Sequence, residues 1–459
     1  MDDVIAFGTD GWRATLDVFT TPRVRAVAQA TADYLATVDH GGDPVAVGYD
    51  ARATSREFAE EIADVLAANG HDVLLPERDL PTPLVAYGIV ERDLAGALVV
   101  TASHNPPEYN GVKFIPDDGA PALPHVTEAI EANLRPPEAD PDVERGEIRE
   151  VDFRTPHAEH AMDLVGADLD GLDVVYDAMH GSGRDVTDRL LEAAGASVER
   201  HRCERDPDFG GTPPEPDRAN LQALALAVQE HDADLGIAND GDSDRIAVVT
   251  PERGFLDENL FFAATYDYLL EDDSGPAVRT VSTSFLVDRV AAAHGEEAYE
   301  TAVGFKWVAE EMGKRDALMA GEESGGFSVR GHIREKDGVL MALLAAAAAA
   351  EESYDHRVDR LLEEHGDVRQ SKISVDCPDD RKAAVVAELA DSLPEEVAGV
   401  DVERVNDADG FKVLLADGSW LLVRPSGTEP KMRVYAEASS EARVEALLDA
   451  GRDLVEPLV

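Results

Sequence analysis

The sequence predicts an α/β protein of four domains, three similar mixed α/β units followed by a C-terminal α+β unit. Three observations carry this reading. A plan of strand, helix, glycine and strand recurs three times, the segment after residue 366 follows a different pattern, and 459 residues are too many for one hydrophobic core. The units are read as 1–140, 141–250, 251–366 and 367–459.

In the first unit, Pro44-Val45-Ala46-Val47-Gly48-Tyr49-Asp50 is a strand, and a helix from about Ser55 to Asn69 follows, closed by Gly70. Phe58, Ile62, Val65 and Leu66 share one face at helical spacing, and Asp72-Val73-Leu74-Leu75 is the next strand. The second copy runs Leu172-Asp173-Val174-Val175-Tyr176-Asp177, a helix from about Arg184 to Ala194, Gly195 and Ala196-Ser197-Val198. The third runs Val278-Arg279-Thr280-Val281-Ser282-Thr283, a helix from about Phe285 to His294, Gly295 and Ala298-Tyr299-Glu300-Thr301. Such βαβ units build mixed or parallel sheets with helices on their faces. The final unit opens a hairpin at Asp417-Gly418 within Leu414–Val423, adds the strand Met432–Glu437, and ends in a helix from about Ser440 to Leu454. Linkers are expected at Arg135 to Asp142 and around Thr250 to Gly254.

Composition narrows the function. The longest apolar stretch, Val339 to Ala350, is an alanine-rich helix between Lys336-Asp337 and Glu351-Glu352, too short to span a bilayer. Met1-Asp2-Asp3 lacks the basic start of a signal peptide, and Cys203 with Cys377 makes neither a disulfide framework nor a metal cluster. A cytoplasmic protein is expected. The formal charge is -53, from 94 acidic and 41 basic residues, and lysine occurs only at 113, 306, 314, 336, 372, 382, 412 and 431. Such a surface repels nucleic acid and anionic membranes, so neither is expected as a partner. Acidic excess with scarce lysine, spread along the whole chain, points to a halophilic host. Any cation kept beside an anion-binding motif is then a candidate ligand for phosphate.

The chemistry-bearing residues follow the strands. The apolar run Gly96-Ala97-Leu98-Val99-Val100 ends in Thr101-Ala102-Ser103-His104-Asn105-Pro106, which delivers Ser103 to the lip of a sheet. A serine there is a nucleophile, a phosphoryl carrier or a turn residue. Asp240-Gly241-Asp242-Ser243-Asp244-Arg245 follows the strand-like Ala233–Ala238. Three carboxylates at alternate positions repel one another unless a hard cation holds them, a solvated acidic turn being the other reading. An EF-hand loop fails here, with Arg245 at its sixth position and Pro251 at its twelfth, and Mg2+ with one place open to a phosphate oxygen fits better. Gly321-Glu322-Glu323-Ser324-Gly325-Gly326 pairs carboxylates with a hydroxyl and suits sugar hydroxyls, or is a flexible acidic loop. Arg424-Pro425-Ser426-Gly427-Thr428-Glu429-Pro430-Lys431 leaves a strand with a guanidinium, hydroxyls and a glycine, a composition that cradles phosphate. Arg13, in Gly8-Thr9-Asp10-Gly11-Trp12-Arg13, and Lys113, in Tyr109-Asn110-Gly111-Val112-Lys113, add cations beside tight turns or are surface charges.

Taken in order, these five loops resemble the α-D-phosphohexomutase superfamily over essentially the whole chain. The resemblance implies four domains around a central cleft. It implies an intramolecular phosphotransferase that interconverts hexose 1-phosphate and hexose 6-phosphate through a hexose 1,6-bisphosphate intermediate. Ser103 would be the phosphoserine, and Asp240, Asp242, Asp244 and a phosphoserine oxygen would hold Mg2+. Glu322 and Ser324 would bind sugar hydroxyls, with Lys306 beside them. Arg424, Ser426, Gly427 and Thr428 would hold the phosphate that is not reacting. Arg13, Lys113 and Arg245 would line the reacting end, and His104 and Asn105 would shape the serine loop. Gly326, where mannose-handling members often carry His, favours glucose phosphate. So do Gly304-Phe305-Lys306-Trp307 and Ser243, where many relatives have Gly, and the Glu-Glu-Ser-Gly-Gly form disfavours the glucosamine mutases, which usually carry Gln in that loop. Phosphomannomutase or dual specificity is the alternative, and a phosphatase or a non-catalytic sugar-phosphate-binding protein represents a different class. A monomer or homodimer is expected.

Self-repulsion at this charge weakens the compact state when counterions are scarce. The thermal unfolding midpoint is therefore expected to rise as KCl is raised from dilute buffer to molar concentration; a midpoint that falls would contradict the halophile reading.

Overall fold

The computed structural model describes residues 4–8, 10–138, 141–427 and 429–459. The alternating strands and helices of the first unit form a six-stranded sheet. Its order is Trp12–Thr15, Tyr109–Pro116, Gly96–Val100, Val45–Tyr49, Val73–Leu75 and Ile148–Glu150. Val45–Tyr49 lies parallel to both Val73–Leu75 and Gly96–Val100, as βαβ connection requires, and Tyr109–Pro116 returns antiparallel. Ile148–Glu150 pairs with Val73–Leu75, so this sheet takes its last strand from beyond residue 140. The helix expected from about Ser55 to Asn69 spans Ser55–Ala68 and buries Phe58, Ile62, Val65 and Leu66.

The second sheet has five strands, in the order Gly254–Leu256, Ile246–Thr250, Leu235–Asn239, Asp173–Asp177 and Ser197–His201. The stretch around Thr250 to Gly254 is a hairpin turn between two of these strands rather than a linker, because Val248–Thr250 and Gly254–Leu256 pair across it. The third sheet orders Ala298–Thr301, Ala277–Thr280, Met319–Gly321 and Phe327–Val329. The fourth is a six-stranded antiparallel sheet, Arg369–Asp376 to Glu396–Val397, with the helix Glu441–Val455 packed on it. Three mixed α/β units and one α+β unit are thus present.

The alanine-rich helix, Gly338–Glu351, joins the second and third units. Every residue from Gly338 to Ala348 is buried, which is the pattern of a helix apolar on all sides. It packs against the helices Thr187–Ala193, Arg154–Val165 and Glu258–Asp272 and the strand Leu235–Asn239. Asp337 caps it, one carboxylate oxygen accepting from Val339 N and Leu340 N at 2.8 Å. Its other oxygen accepts from His157 Nε2 at 2.6 Å and His332 Nε2 at 2.8 Å, so this buried cluster is satisfied by hydrogen bonds alone. Among the described residues no helix is long and apolar enough to cross a membrane.

The fourth unit meets the third through a buried cation. Lys412 Nζ reaches Glu300 Oε2 at 2.7 Å and lies 4.1 Å from the Phe285 ring and 4.4 Å from the Trp420 ring. Burial, with Arg279 nearby, pushes this ammonium down to about 8.

Gly338 lies so close to the loop after Asn239 that a Cβ there would collide with the Arg245 carbonyl oxygen and the Asn239 amide. Gly338→Ala is expected to destabilise the protein by roughly 1–3 kcal/mol, as overpacking does, measured by urea unfolding. An unchanged midpoint would show that the helix can retreat freely.

Candidate active site

The serine loop is built from the strand end outward. Gly96–Val100 is buried throughout, and its chain then turns sharply, with Ser103 at φ 50, a left-handed conformation costly for any residue with a side chain. Two devices hold it there. Thr101 Oγ1 accepts from Ser103 N at 2.8 Å while donating to Asp50 Oδ2 at 2.8 Å. Arg52, fully buried, donates to the carbonyls of Ser103 (2.8 Å), Asn105 (2.6 Å), Pro106 (2.7 Å) and Tyr109 (3.2 Å), and through Nε to Asp50 Oδ2 at 3.0 Å. Burial pushes the Asp50 carboxyl up despite Arg52, Ser55 and Thr101 all bonding to it.

The metal loop approaches from the second unit. Gly241 lies under the serine loop, where a Cβ would sit 2.6 Å from the Ser103 carbonyl oxygen. This close approach brings Ser103 Oγ to 2.7 Å from Asp240 Oδ2, with His104 Nδ1 3.2 Å away on the other side. Asp240, Asp242 and Asp244 are buried and present carboxylate oxygens within 4.8 Å of one another. Burial raises the Asp240 carboxyl well above its usual range, and the charges of Asp242 and Asp244 raise it further. Asp242 Oδ2 accepts from Thr82 Oγ1 at 2.7 Å. The outer oxygens, Asp242 Oδ1 and Asp244 Oδ1, are buried with no hydrogen-bond partner. Three convergent carboxylates with orphaned buried oxygens fit a hard divalent cation such as Mg2+.

Cations surround this triad. Lys113 Nζ lies 2.9 Å from Asp244, 3.1 Å from Asp242 and 2.9 Å from Asp10. Burial alone would lower that ammonium, but these carboxylates raise it well above its ordinary value. Lys336 Nζ lies 3.4 Å from Asp244, 3.7 Å from Asp10 and 3.1 Å from Glu335, whose other oxygen is buried without a partner. Arg13 reaches Asn105 at 3.3 Å and Asp10 at 3.4 Å, and Arg245 N donates to Asp240 Oδ1 at 3.2 Å. Burial, reinforced by the Arg245 and Arg13 guanidiniums, lowers the His104 imidazole to about 2 and keeps it neutral.

The sugar loop turns between the paired strands Met319–Gly321 and Phe327–Val329 and is tied to the metal loop, Gly325 O accepting from Ile246 N at 2.9 Å. Glu322 is buried and accepts from Gly304 N at 2.9 Å; burial, with Glu323 beside it, pushes its carboxyl up to about 7. Ser324 is half-buried, and Lys306 reaches the Gly8 carbonyl at 3.4 Å. In the phosphate loop, Arg424 Nε bonds to Asp409 at 2.8 Å, and Lys382 donates to the carbonyls of Ser426 and Glu429 at 2.6 Å. Gly427 is exposed, and Thr428 lies outside the described residues. Lys431 and Arg433 both pair with Glu429.

Ser103, His104, Arg13, Lys113, Arg245 and the three aspartates therefore meet in one place, with the sugar loop joined to it and the phosphate loop on the fourth unit. Asp50, Arg52, Thr82, Asp10, Glu335, Lys336, Lys382 and Asp409 belong to the same assembly and were not legible as site residues. Lys336, one of only eight lysines, carried a signal, but it read as the flank of a helix.

Four family models described as phosphoglucomutase/phosphomannomutase match in succession. These are alpha/beta/alpha domain I over residues 4–139, domain II over 156–254, domain III over 257–367 and the C-terminal domain over 373–454. The chain belongs to the phosphoglucomutase/phosphomannomutase family. It is a member of the α-D-phosphohexomutase superfamily, and its relatives are mutases. A Methanopyrus kandleri protein named a probable phosphoglucosamine mutase is 34% identical over 461 residues, covering 98% of this chain and 97% of that one. A Thermococcus kodakarensis phosphopentomutase is 32% identical over 464 residues, covering 99% and 98%. A solved structure from Thermus thermophilus, described as a phosphomannomutase, superposes with a TM-score of 0.86 at 30% identity, covering 99% of this chain and 100% of that one.

Removing the buried guanidinium would leave the Asp50 charge without its counterion and take a donor from four carbonyls in this family member's serine loop. Arg52→Met is expected to cost roughly 3–5 kcal/mol in urea unfolding. A loss below about 1 kcal/mol would mean that solvent replaces those bonds.

Proposed function

We propose that this chain is a phosphoglucomutase-type enzyme in which Ser103 carries the phosphoryl group between two positions of one sugar phosphate. The observation that supports it best is the Ser103 hydroxyl 2.7 Å from Asp240, within a buried carboxylate triad that Lys113, Lys336 and Arg245 flank, with Arg13 nearby on Asn105 and Asp10. In the forward half of the cycle a sugar hydroxyl gives up its proton as its oxygen bonds to phosphorus, the bond from phosphorus to Ser103 Oγ breaks, and Ser103 Oγ takes up a proton, giving a hexose bisphosphate and a free serine. After the intermediate turns round, Ser103 Oγ takes the other phosphoryl group. Asp240 and His104 both lie within reach of the Ser103 hydroxyl proton. The ammoniums and guanidiniums offset charge spreading over the transferring oxygens, the main catalytic demand of phosphoryl transfer. Asp240, Asp242, Asp244 and a phosphoserine oxygen would hold Mg2+, which when bound withdraws charge from the transferring group.

Glu322, Ser324 and Lys306 are inferred to orient the sugar, and Arg424, Ser426, Gly427 and Thr428 to hold the distal phosphate. Glucose phosphate is the proposed substrate. The side-chain space at Gly326 is filled by the aliphatic stem of Lys336, so the room a histidine would take in mannose-handling relatives is occupied here, which supports glucose. A second reading, glucosamine phosphate, draws on the name of the Methanopyrus kandleri relative, against the Glu-Glu-Ser-Gly-Gly form of the sugar loop. The acidic surface is read as an adaptation to high salt in a cytoplasmic enzyme.

Glucose 1-phosphate with a trace of glucose 1,6-bisphosphate, Mg2+ and high salt is expected to yield glucose 6-phosphate. Ser103→Ala should lower turnover at least about a thousandfold, as loss of a covalent carrier does. Full turnover by Ser103→Ala would overturn the phosphoserine reading, and net phosphate release would indicate a phosphatase. Comparing kcat/KM for the glucose, mannose and glucosamine phosphates decides the sugar, with glucose expected to be highest.

A further inference from the structure

A ligand that bridges the sugar loop and the phosphate loop must have both ends held at a fixed separation, although the loops lie on different units. One carboxylate joins them. Asp409 Oδ2 accepts from Arg424 Nε at 2.8 Å and from Val303 N, on the third unit, at 3.1 Å. The next amide, Gly304 N, donates to Glu322 Oε1 at 2.9 Å. Two successive backbone amides therefore serve the two loops, one through Asp409 and one directly.

The surrounding backbone is shaped for this tie. Gly304 has φ 121 and ψ 121, a conformation that side chains disfavour, and it starts the helix Phe305–Arg315. Gly410, directly after Asp409, has φ 76, and a Cβ there would collide with the Val423 carbonyl oxygen and with Arg424. The Asp409 side chain is largely buried, at 17% exposure. A guanidinium can rotate about its stem, and a partner on Nε fixes the plane in which its remaining donors lie.

We propose that Asp409 is a positioning residue that sets the separation of Arg424 from Glu322 by binding the arginine and the 303–304 backbone with one oxygen. The inference rests on the reading of Arg424 and Glu322 as the two ends of the ligand site. Asp409 touches no ligand; it acts through Arg424 and the backbone. Its loss lets each loop settle separately, so that substrate must align them on binding, and the cost falls on KM.

The test measures initial rates on glucose 1-phosphate for the wild type, Asp409→Ala, Asp409→Asn, Glu322→Gln and the Asp409→Ala/Glu322→Gln pair, with unfolding midpoints for each. Asp409→Ala is expected to raise KM about tenfold or more, the usual weight of a hydrogen bond to a charged group, while kcat falls less than about threefold. Asp409→Asn, whose amide oxygen accepts the same two bonds, should recover most of the loss. The paired variant should lose less than the product of the single effects, because the two changes act on one alignment. An unchanged KM in Asp409→Ala, or strictly multiplicative losses, would overturn the proposal. Should Asp409→Ala not fold, Asp409→Glu, which shifts the charge by one methylene, is read in the same way. A wild type that transfers no phosphoryl group would instead overturn the functional reading; an active wild type with an indifferent Asp409→Ala overturns only the tie.

Discussion

The buried pair of Arg52 and Asp50 is the interaction on which the site depends. A serine held at φ 50 is strained, and four carbonyls of its loop, those of Ser103, Asn105, Pro106 and Tyr109, converge on one guanidinium. Arg52 satisfies them with a single planar group, and Asp50 balances its charge while fixing Thr101 and Ser55. A lysine could offer three donors from one point but not a fork spanning four acceptors. The strain at Ser103 is therefore sustained by a group far from it in sequence, and the hydroxyl is presented before any ligand arrives.

Close backbone approach carries that order to the other units. Gly241 admits the Ser103 carbonyl, Gly338 admits the Arg245 carbonyl, and Asn239 Nδ2 spans from Arg245 O at 2.8 Å to Gly338 O at 3.0 Å. The metal loop is thus clamped between the serine loop and the first turn of the buried alanine-rich helix. That helix is fixed in turn by Asp337, which His157 and His332 hold from two directions. Burying carboxylates so densely is costly, and Lys113 and Lys336 offset part of that cost through direct contacts. The two orphaned oxygens of Asp242 and Asp244 are what those ammoniums leave uncovered.

Much of this was legible because it is local. Ser103 stands where an apolar strand stops, the aspartates alternate after another strand, and Asp417-Gly418 makes a hairpin between Phe411–Leu415 and Trp420–Pro425. The residues that escaped act at long range. Arg52 falls between the expected strand and helix and carried no signal, because the carbonyls it binds lie more than fifty positions away. Lys336 read as the charged flank of an apolar helix, and Glu335 and Asp409 carried no signal in so acidic a chain. The turn around Thr250 to Gly254 read as a linker because Pro and Gly mark both, and only pairing partners distinguish a hairpin from a connection.

The turn carrying Glu322 and Ser324 springs from two strands of three residues each, apart from the sheets that present Ser103 and the aspartates. Its ancestry can therefore diverge from theirs. On the proposed reading, replacements at the half-buried positions 323 and 324 alter which hydroxyls are gripped, whereas Gly325 and Gly326 are held against Ile246 and Lys336. If that turn does grip the sugar, a lineage built on this plan can exchange one sugar for another by drift at two half-buried positions, while selection keeps the phosphoryl-handling core unchanged.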